Sequence, residues 1–342
     1  MFVNSDNYIK YLRLWLVTLF LLIISMVVVG GLTRLTDSGL SITAWELFTG
    51  ILPPLNLNEW NLYFSDYKKI PEYQNINYNM TLNEFKVIFY WEYAHRLLAR
   101  IVGLFSFIPL IIFSFKFRNN KFYSNKYYII FLLICLQGFI GWYMVSSGLI
   151  ENNDVSHFRL AVHLTLALFI LSLIFWYLLD LYKIKKFDYK ISDSLLFFIL
   201  ALIIGQIIFG AFLSGLDGGL IYNSWPDMNG NFAPNDIKRN DYFSFQIFSN
   251  VSIIQFFHRI IAYILLFSII FLNYLFFKKR LNLLNIFIFD IAILLQIFLG
   301  IITLISGAEI KYASLHQLGS IFVLSSYLLI LYKNTNRQLY LY

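Results

Sequence analysis

The sequence predicts an all-α integral membrane protein with eight transmembrane helices. Of its 342 residues, 59% are hydrophobic and only 13% are charged, and the mean hydropathy is +0.68. Because soluble domains contain about 25% charged residues, this composition argues against a soluble enzyme. The 26 Lys and Arg residues are spread between apolar runs. They are therefore expected to set membrane topology, and no nucleic-acid partner is expected.

Each predicted helix corresponds to an apolar run of roughly 20 residues, the length that crosses a bilayer. The runs lie at about 13–32, 93–115, 127–147, 160–181, 193–214, 255–277, 286–306 and 313–332. They are too long and continuous for the strands of a membrane barrel, in which apolar and polar residues alternate.

The basic loops predict the orientation of the spans. Fifteen of the 26 Lys and Arg residues precede span one or follow spans two, four, six and eight; they are Lys10, Arg13, Lys116, Arg118, Lys121, Lys126, Lys183, Lys185, Lys186, Lys190, Lys278, Lys279, Arg280, Lys333 and Arg337. The positive-inside rule therefore places both termini in the cytoplasm. No Arg-rich transit peptide precedes span one, which favours the bacterial cytoplasmic (inner) membrane. The outward loops would be about 33–92, 148–159, 215–254 and 307–312.

An internal duplication relates the first four spans to the last four. The matched segments are residues 30–40 with 210–220, His95-Arg96 with His258-Arg259, Gln137 and Gly141 with Gln296 and Gly300, and His163 with His316. Because each half holds an even number of spans, the repeats are parallel. The sequence predicts two parallel-repeat four-helix bundles, in residues 1–190 and 191–342.

Four of the five histidines, His95, His163, His258 and His316, lie near the starts of the even-numbered spans. They are therefore expected at one depth, near the outer face of the membrane. Two imidazoles per bundle predict bis-histidine ligation of one haem iron in each half. The single cysteine excludes a thioether-bonded c-type haem. The alternatives are interfacial hydrogen bonding and, more weakly, zinc, which prefers four ligands.

Differences between the halves indicate where chemistry takes place. Glu92 lies one helical turn before His95, whereas the matched position before His258 is Gln255. The first outward loop, about 33–92, is also the longer one. A carboxylate beside only one haem suggests acid–base catalysis or substrate positioning. We therefore expect the substrate in the first half and a fixed electron-carrying haem in the second.

Other polar and aromatic positions allow two interpretations each. Arg96 and Arg259 follow a candidate ligand and could pair with haem propionates or extend to lipid headgroups. An apolar stripe in the long loop suits an interfacial helix or lid, or interface anchoring alone; its members are Trp60, Phe64 and Tyr67. Gln137 and Gln296 could bond between helices or contact haem. Three span glycines are expected to permit close helix approach; they are Gly138, Gly141 and Gly300.

At this point the sequence resembles the haem A synthase family, in the branch shared by alphaproteobacteria and mitochondria. The resemblance runs from span one to span eight, and the long loop is its most specific part. The motifs are Gly30-Gly31-Leu32-Thr33-Arg34-Leu35-Thr36, Ser38-Gly39-Leu40-Ser41, Leu52-Pro53-Pro54, Glu59-Trp60, Pro71-Glu72-Tyr73, Glu84-Phe85-Lys86 and Trp91-Glu92 with His95-Arg96. Some bacterial members carry a loop cysteine pair, which this chain lacks.

The resemblance implies that the chain oxidises the C8 methyl of haem O to a formyl group by successive hydroxylations, giving haem A for terminal oxidases. Haem b would be the cofactor, and haem O synthase a partner. His258 and His316 would bind the haem b iron, and His95 and His163 the substrate haem iron. Glu92 matches the family's acidic residue. We also expect Arg34 and Arg96 beside the substrate haem and Arg259 beside the cofactor.

Two other functions compete with this interpretation. A di-haem b-type electron-transfer cytochrome, such as a quinol oxidoreductase subunit, would ideally hold its haems at different depths, whereas the four histidines here share one. A transporter built from parallel repeats would carry broken helices and ionisable groups near the midplane. The sequence leaves a homo-oligomer open.

Overall fold

Long helices dominate the computed structural model of this chain, which describes residues 5–45, 49–116, 121–151, 154–237 and 245–335. Within those residues, eight helices are long and apolar enough to cross a membrane. They are α1 (Ser5–Leu35), α4 (Leu82–Lys116), α5 (Lys121–Glu151), α6 (His157–Leu181), α7 (Asp193–Gly215), α8 (Val251–Lys278), α9 (Leu283–Ile305) and α10 (Ile310–Asn334). Two shorter helices, α2 (Leu57–Tyr67) and α3 (Pro71–Asn75), precede α4. The all-α membrane class and the eight predicted spans are confirmed, whereas the repeat arrangement and the side of the termini stay predictions.

The described residues form two compact units. One is Thr18–Ile170, which contains α2 to α5 and most of α1 and α6. The other joins the chain before Thr18 to the chain from Leu171 onward. Within the first unit α4 packs beside α5, and within the second α7 packs beside α8 and α9 beside α10. The functional division into residues 1–190 and 191–342 follows the sequence repeat and stays a prediction.

Helix α4 begins eleven residues before the apolar run that predicted it. Its start is a capping box, in which the Thr81 backbone N–H donates to Glu84 Oε2 at 2.8 Å and the Glu84 N–H donates to Thr81 Oγ1 at 3.4 Å. Helix α2 starts in a similar way, since Asn56 Oδ1 accepts from the Glu59 N–H at 2.9 Å. Local capping therefore extends α4 beyond its apolar run and gives the long loop a surface to pack on.

The aromatic stripe of α2 faces that surface. Trp60, Phe64 and Tyr67 are buried, and the ring of Trp60 lies 4.9 Å from Phe89 while that of Phe64 stacks 5.0 Å from Phe85. The stripe therefore packs against the first turns of α4, so its interpretation as an interface anchor is wrong for these three side chains. We call residues 49–81 the cap, because they form a small hydrophobic cluster with α4.

The cap buries one carboxyl group. Glu72 is 5% exposed, and its Oε1 accepts hydrogen bonds from the Tyr67 hydroxyl at 2.9 Å and from Asn77 Nδ2 at 3.3 Å. Desolvation by burial raises the pKa of Glu72 from 4.5 to about 8. The folded cap therefore favours the protonated carboxyl.

This raised pKa predicts that the cap becomes easier to open as the pH rises from 4.5 to about 8. Between pH 4.5 and about 8 the folded cap holds a proton that the open state releases. The free energy of opening should therefore fall by at most about 1.4 kcal/mol per pH unit in that window and level off above it. Amide hydrogen exchange in α2 and α3, corrected for intrinsic rates, measures this dependence. Glu72→Gln should remove it, and an unchanged pH slope in that variant would contradict the assignment to Glu72.

Candidate functional site

The structure brings the four repeat-matched histidines together in two pairs, one in each unit. His95 on α4 and His163 on α6 lie near each other. His258 on α8 and His316 on α10 do the same. All four residues are partly accessible. Each pair therefore joins the second and fourth helices of its half, as the repeat predicts.

Each pair of histidine rings could bind a group that is not part of the chain. Within the described residues, Nδ1 of His163, His258 and His316 is buried without a hydrogen-bond partner. No cluster of three or more His, Cys, Asp or Glu side chains that could hold a metal ion occurs in this part of the chain. Two imidazoles per pair fit an iron whose other ligands come from a macrocycle, and they do not fit a tetrahedral zinc site.

The carboxylate of Glu92 lies at the centre of a dense hydrogen-bond network. Its side chain is 3% exposed, and Oε2 accepts from the Ser41 hydroxyl and from the Ile42 backbone N–H, both at 2.7 Å. Its Oε1 accepts from Arg96 Nε at 2.9 Å and from Arg96 Nη2 at 2.6 Å. Four donors therefore converge on one carboxylate, which holds the segment after α1 against α4.

The second unit uses an amide in the equivalent position. Gln255 Nε2 donates to the carbonyl oxygens of Gly218 at 3.0 Å and Ile221 at 2.7 Å, and its Oε1 accepts from Arg259 Nη2 at 3.2 Å. The segment after α7 thus presents acceptors where the segment after α1 presents donors. The Glu92–Gln255 difference therefore has a structural reason in addition to any catalytic one.

The three predicted haem-binding arginines bond to the segments that follow α1, α5 and α7. Arg96 also donates to the backbone carbonyls of Ile42 at 2.7 Å and Ala44 at 2.9 Å. Arg259 donates to the backbone carbonyls of Tyr222 at 2.9 Å and Asp227 at 2.8 Å. Arg34 forms ion pairs with Asp37 at 2.8 Å and Asp154 at 3.0 Å. These bonds fix the guanidinium groups in place, while contact with haem propionates stays a prediction.

The structure shows what two kinds of residue near the histidines contact, namely glutamines and glycines. Gln137 Nε2 donates to the His163 backbone carbonyl at 2.9 Å, and Gln296 Nε2 donates to that of His316 at 3.0 Å, so both glutamines bond between helices. Glycines lie against all four histidine rings; they are Gly30, Gly141, Gly210 and Gly300. Their repeat-matched positions were visible in the sequence, but only the structure shows which side chains they face.

The chain is similar to known proteins over nearly its whole length. A family model described as cytochrome oxidase assembly protein matches residues 13–328. A protein of Pelagibacter ubique (strain HTCC1062) named Heme A synthase is 74% identical over 336 residues, which cover 98% of this chain and 100% of the relative. Heme A synthases of Rickettsia bellii (strain OSU 85-389) and Rickettsia felis are 45% and 44% identical, over 92% and 91% of this chain and 96% and 94% of the relatives.

Proposed function

The chain belongs to the haem A synthase family, and we propose on that premise that it oxidises the C8 methyl group of haem O to the formyl group of haem A. Two successive hydroxylations, each a two-electron oxidation that inserts one oxygen atom with an oxidant and an oxygen source supplied from outside the chain, would convert the methyl carbon to a geminal diol. Loss of water from the diol would give the formyl group. The observation that carries the proposal is the pairing of four partly accessible histidines, two in each unit. In the part of the chain that the structure describes, neither pair has the further His, Cys, Asp or Glu ligands that a bare metal ion would need.

The two histidine pairs would bind different haems. His95 and His163 would hold the iron of the substrate haem, and His258 and His316 that of haem b. Haem b supplies one-electron redox chemistry when it is bound. The division is supported by Glu92, a carboxylate one helical turn from His95 that has only an amide as its counterpart in the second half.

The protein's own residues would orient the substrate and keep the site closed. Arg34 and Arg96 are held by ion pairs on the first unit, where they could neutralise haem propionates. Arg259 would do the same for haem b. The bond from Ser41 to Glu92 ties the segment after α1 to α4, one turn from His95. The proposed role of Glu92 is to position the substrate haem or to accept a proton that is released as the methyl group is oxidised.

The spanning helices, the bacterial relatives and the basic loops together support the proposed location in the membrane. The chain is a multi-pass membrane protein, and its named relatives are bacterial. We place it in the bacterial cytoplasmic membrane with both termini inside and the histidine pairs near the outer face, which the basic loops support. Haem O synthase is the proposed partner, because a farnesylated haem partitions poorly into water.

Expression with a haem O synthase, in a host that makes no haem A, tests the activity. Membrane haems would be extracted, separated by chromatography and identified by mass. Haem A, or its hydroxylated intermediate, should appear only when this chain is present. Accumulated haem O, together with a purified chain that holds two permanent haem b groups, would instead favour the electron-transfer cytochrome.

A further inference from the structure

Two helices carry a glutamine and a glycine four residues apart, and each pair contacts a histidine of the following helix. On α9 these are Gln296 and Gly300, which lie on one face. Gln296 holds the His316 backbone carbonyl at 3.0 Å, and an alanine Cβ at Gly300 would lie 2.9 Å from His316 Cε1. Gln296 therefore fixes the histidine backbone and also approaches the ring nitrogen Nε2 at 3.5 Å, while Gly300 confines the ring.

The same arrangement occurs on α5. Gln137 holds the His163 carbonyl at 2.9 Å, and a Cβ at Gly141 would also lie 2.9 Å from His163 Cε1. The partner histidines are less tightly confined, since a Cβ at Gly30 would lie 3.2 Å from His95 Nε2 and one at Gly210 would lie 3.5 Å from His258 Cε1. The tight contact is therefore a repeated property of the fourth-helix ligand in each half.

Hydrogen bonding to a carboxylate or a carbonyl does not orient these rings, although the Gln296 amide nitrogen also lies 3.5 Å from His316 Nε2. A metal-binding histidine usually donates its second ring N–H to a carboxylate or carbonyl, which fixes the ring plane. Nδ1 of His163 and His316 has no such partner among the described residues. The glycine limits rotation of each ring by steric contact, and the glutamine anchors the histidine backbone and, at His316, also approaches the ring.

We propose that the glutamine–glycine pairs of α5 and α9 are brackets that set the imidazole planes of His163 and His316 at the haem irons. This inference rests on the proposed function, because it assigns positioning residues to the haem sites. The bracket residues are Gln137, Gly141, Gln296 and Gly300. They act through the histidines and do not themselves take part in the reaction.

The bracket predicts that Gly300→Ala rotates or displaces the His316 ring. In the purified full-length chain, the low-spin ferric haem signal in electron paramagnetic resonance should shift, and haem affinity should fall about 10-fold or more. The matched control is Gly205→Ala in α7, where the nearest atom, Ile261 Cδ1, lies 3.9 Å from the added Cβ. That variant should keep the wild-type spectrum and haem content, although it makes the same change in a spanning helix.

A second variant keeps the test decisive if Gly300→Ala fails to fold. Gln296→Met removes the bond to the His316 carbonyl without adding bulk, and it should shift the same signal in a monodisperse protein. Wild-type spectra in both folded variants, or in Gln296→Met alone, would overturn the bracket. A wild-type chain that shows no bis-histidine haem signal would instead overturn the proposed function, so the two failures are distinguishable.

Discussion

His316→Ala is expected to remove the tightly bound haem from the second half and to abolish haem A formation. The substitution deletes one of two axial ligands, and the remaining His258 offers a single imidazole. Loss of a ligand should exceed the effect of losing an outer-shell contact, which is about 10–100-fold in metal affinity. Haem b content per purified chain, together with the reduced-minus-oxidised spectrum, measures the outcome.

His157→Ala is the matched control for that experiment. His157 has no partner in the repeat, and its ring lies against Phe158, with centroids 4.2 Å apart. Replacing it should leave the haem content of the second half unchanged. If His316→Ala kept the full haem content and spectrum, His316 would not be an axial ligand and the pairing with His258 would need another explanation.

The spans could be predicted because membrane helices are encoded locally, by the length and apolarity of each run. Where a helix extends out of its apolar run, the hydropathy signal ends too early. Helix α4 illustrates this, since its first turns carry Glu84 and Lys86 and its start depends on the Thr81 capping box. That box was visible in the sequence, but the apolar run alone placed the start at residue 93.

The candidate site could likewise be predicted only in part, because some of its contacts form only in the tertiary fold. The topology predicts that His95 can face His163, because spans two and four run in the same direction and place both histidines at one depth. The repeat extends the same expectation to His258 and His316. The contacts of Glu92 could not be predicted, because Ser41 and Ile42 lie about 50 residues earlier and approach only when the segment after α1 folds onto α4. The buried aromatic stripe of α2 has the same cause, since its partner surface belongs to another helix.

Glu92→Gln is expected to lower haem O oxidation by about 100-fold or more, the contribution typical of a positioned acid–base group, while haem b binding persists. The substitution removes the charge but also disturbs the network around it. The Ile42 N–H and the Arg96 guanidinium both donate to the carboxylate, so an amide can satisfy only one of them. The mismatch should cost about 1–3 kcal/mol locally.

Ser41→Ala tests whether Glu92 acts through its charge or only by anchoring the segment after α1. It deletes one donor at 2.7 Å from Glu92 Oε2 and leaves the carboxylate and its Arg96 ion pair in place. If the charge of Glu92 serves the reaction, Ser41→Ala should lower activity much less than Glu92→Gln does, because the carboxylate and three of its four donors remain in place. The lost hydrogen bond to a charged group, which contributes about 1.5–3 kcal/mol, should then appear mainly as lower local stability. Equal losses in turnover and equal increases in amide exchange at residues 38–45 would make Glu92 an anchor only. The Gln255 network of the second unit would then be its structural equivalent, holding a loop and an arginine with no part in the chemistry.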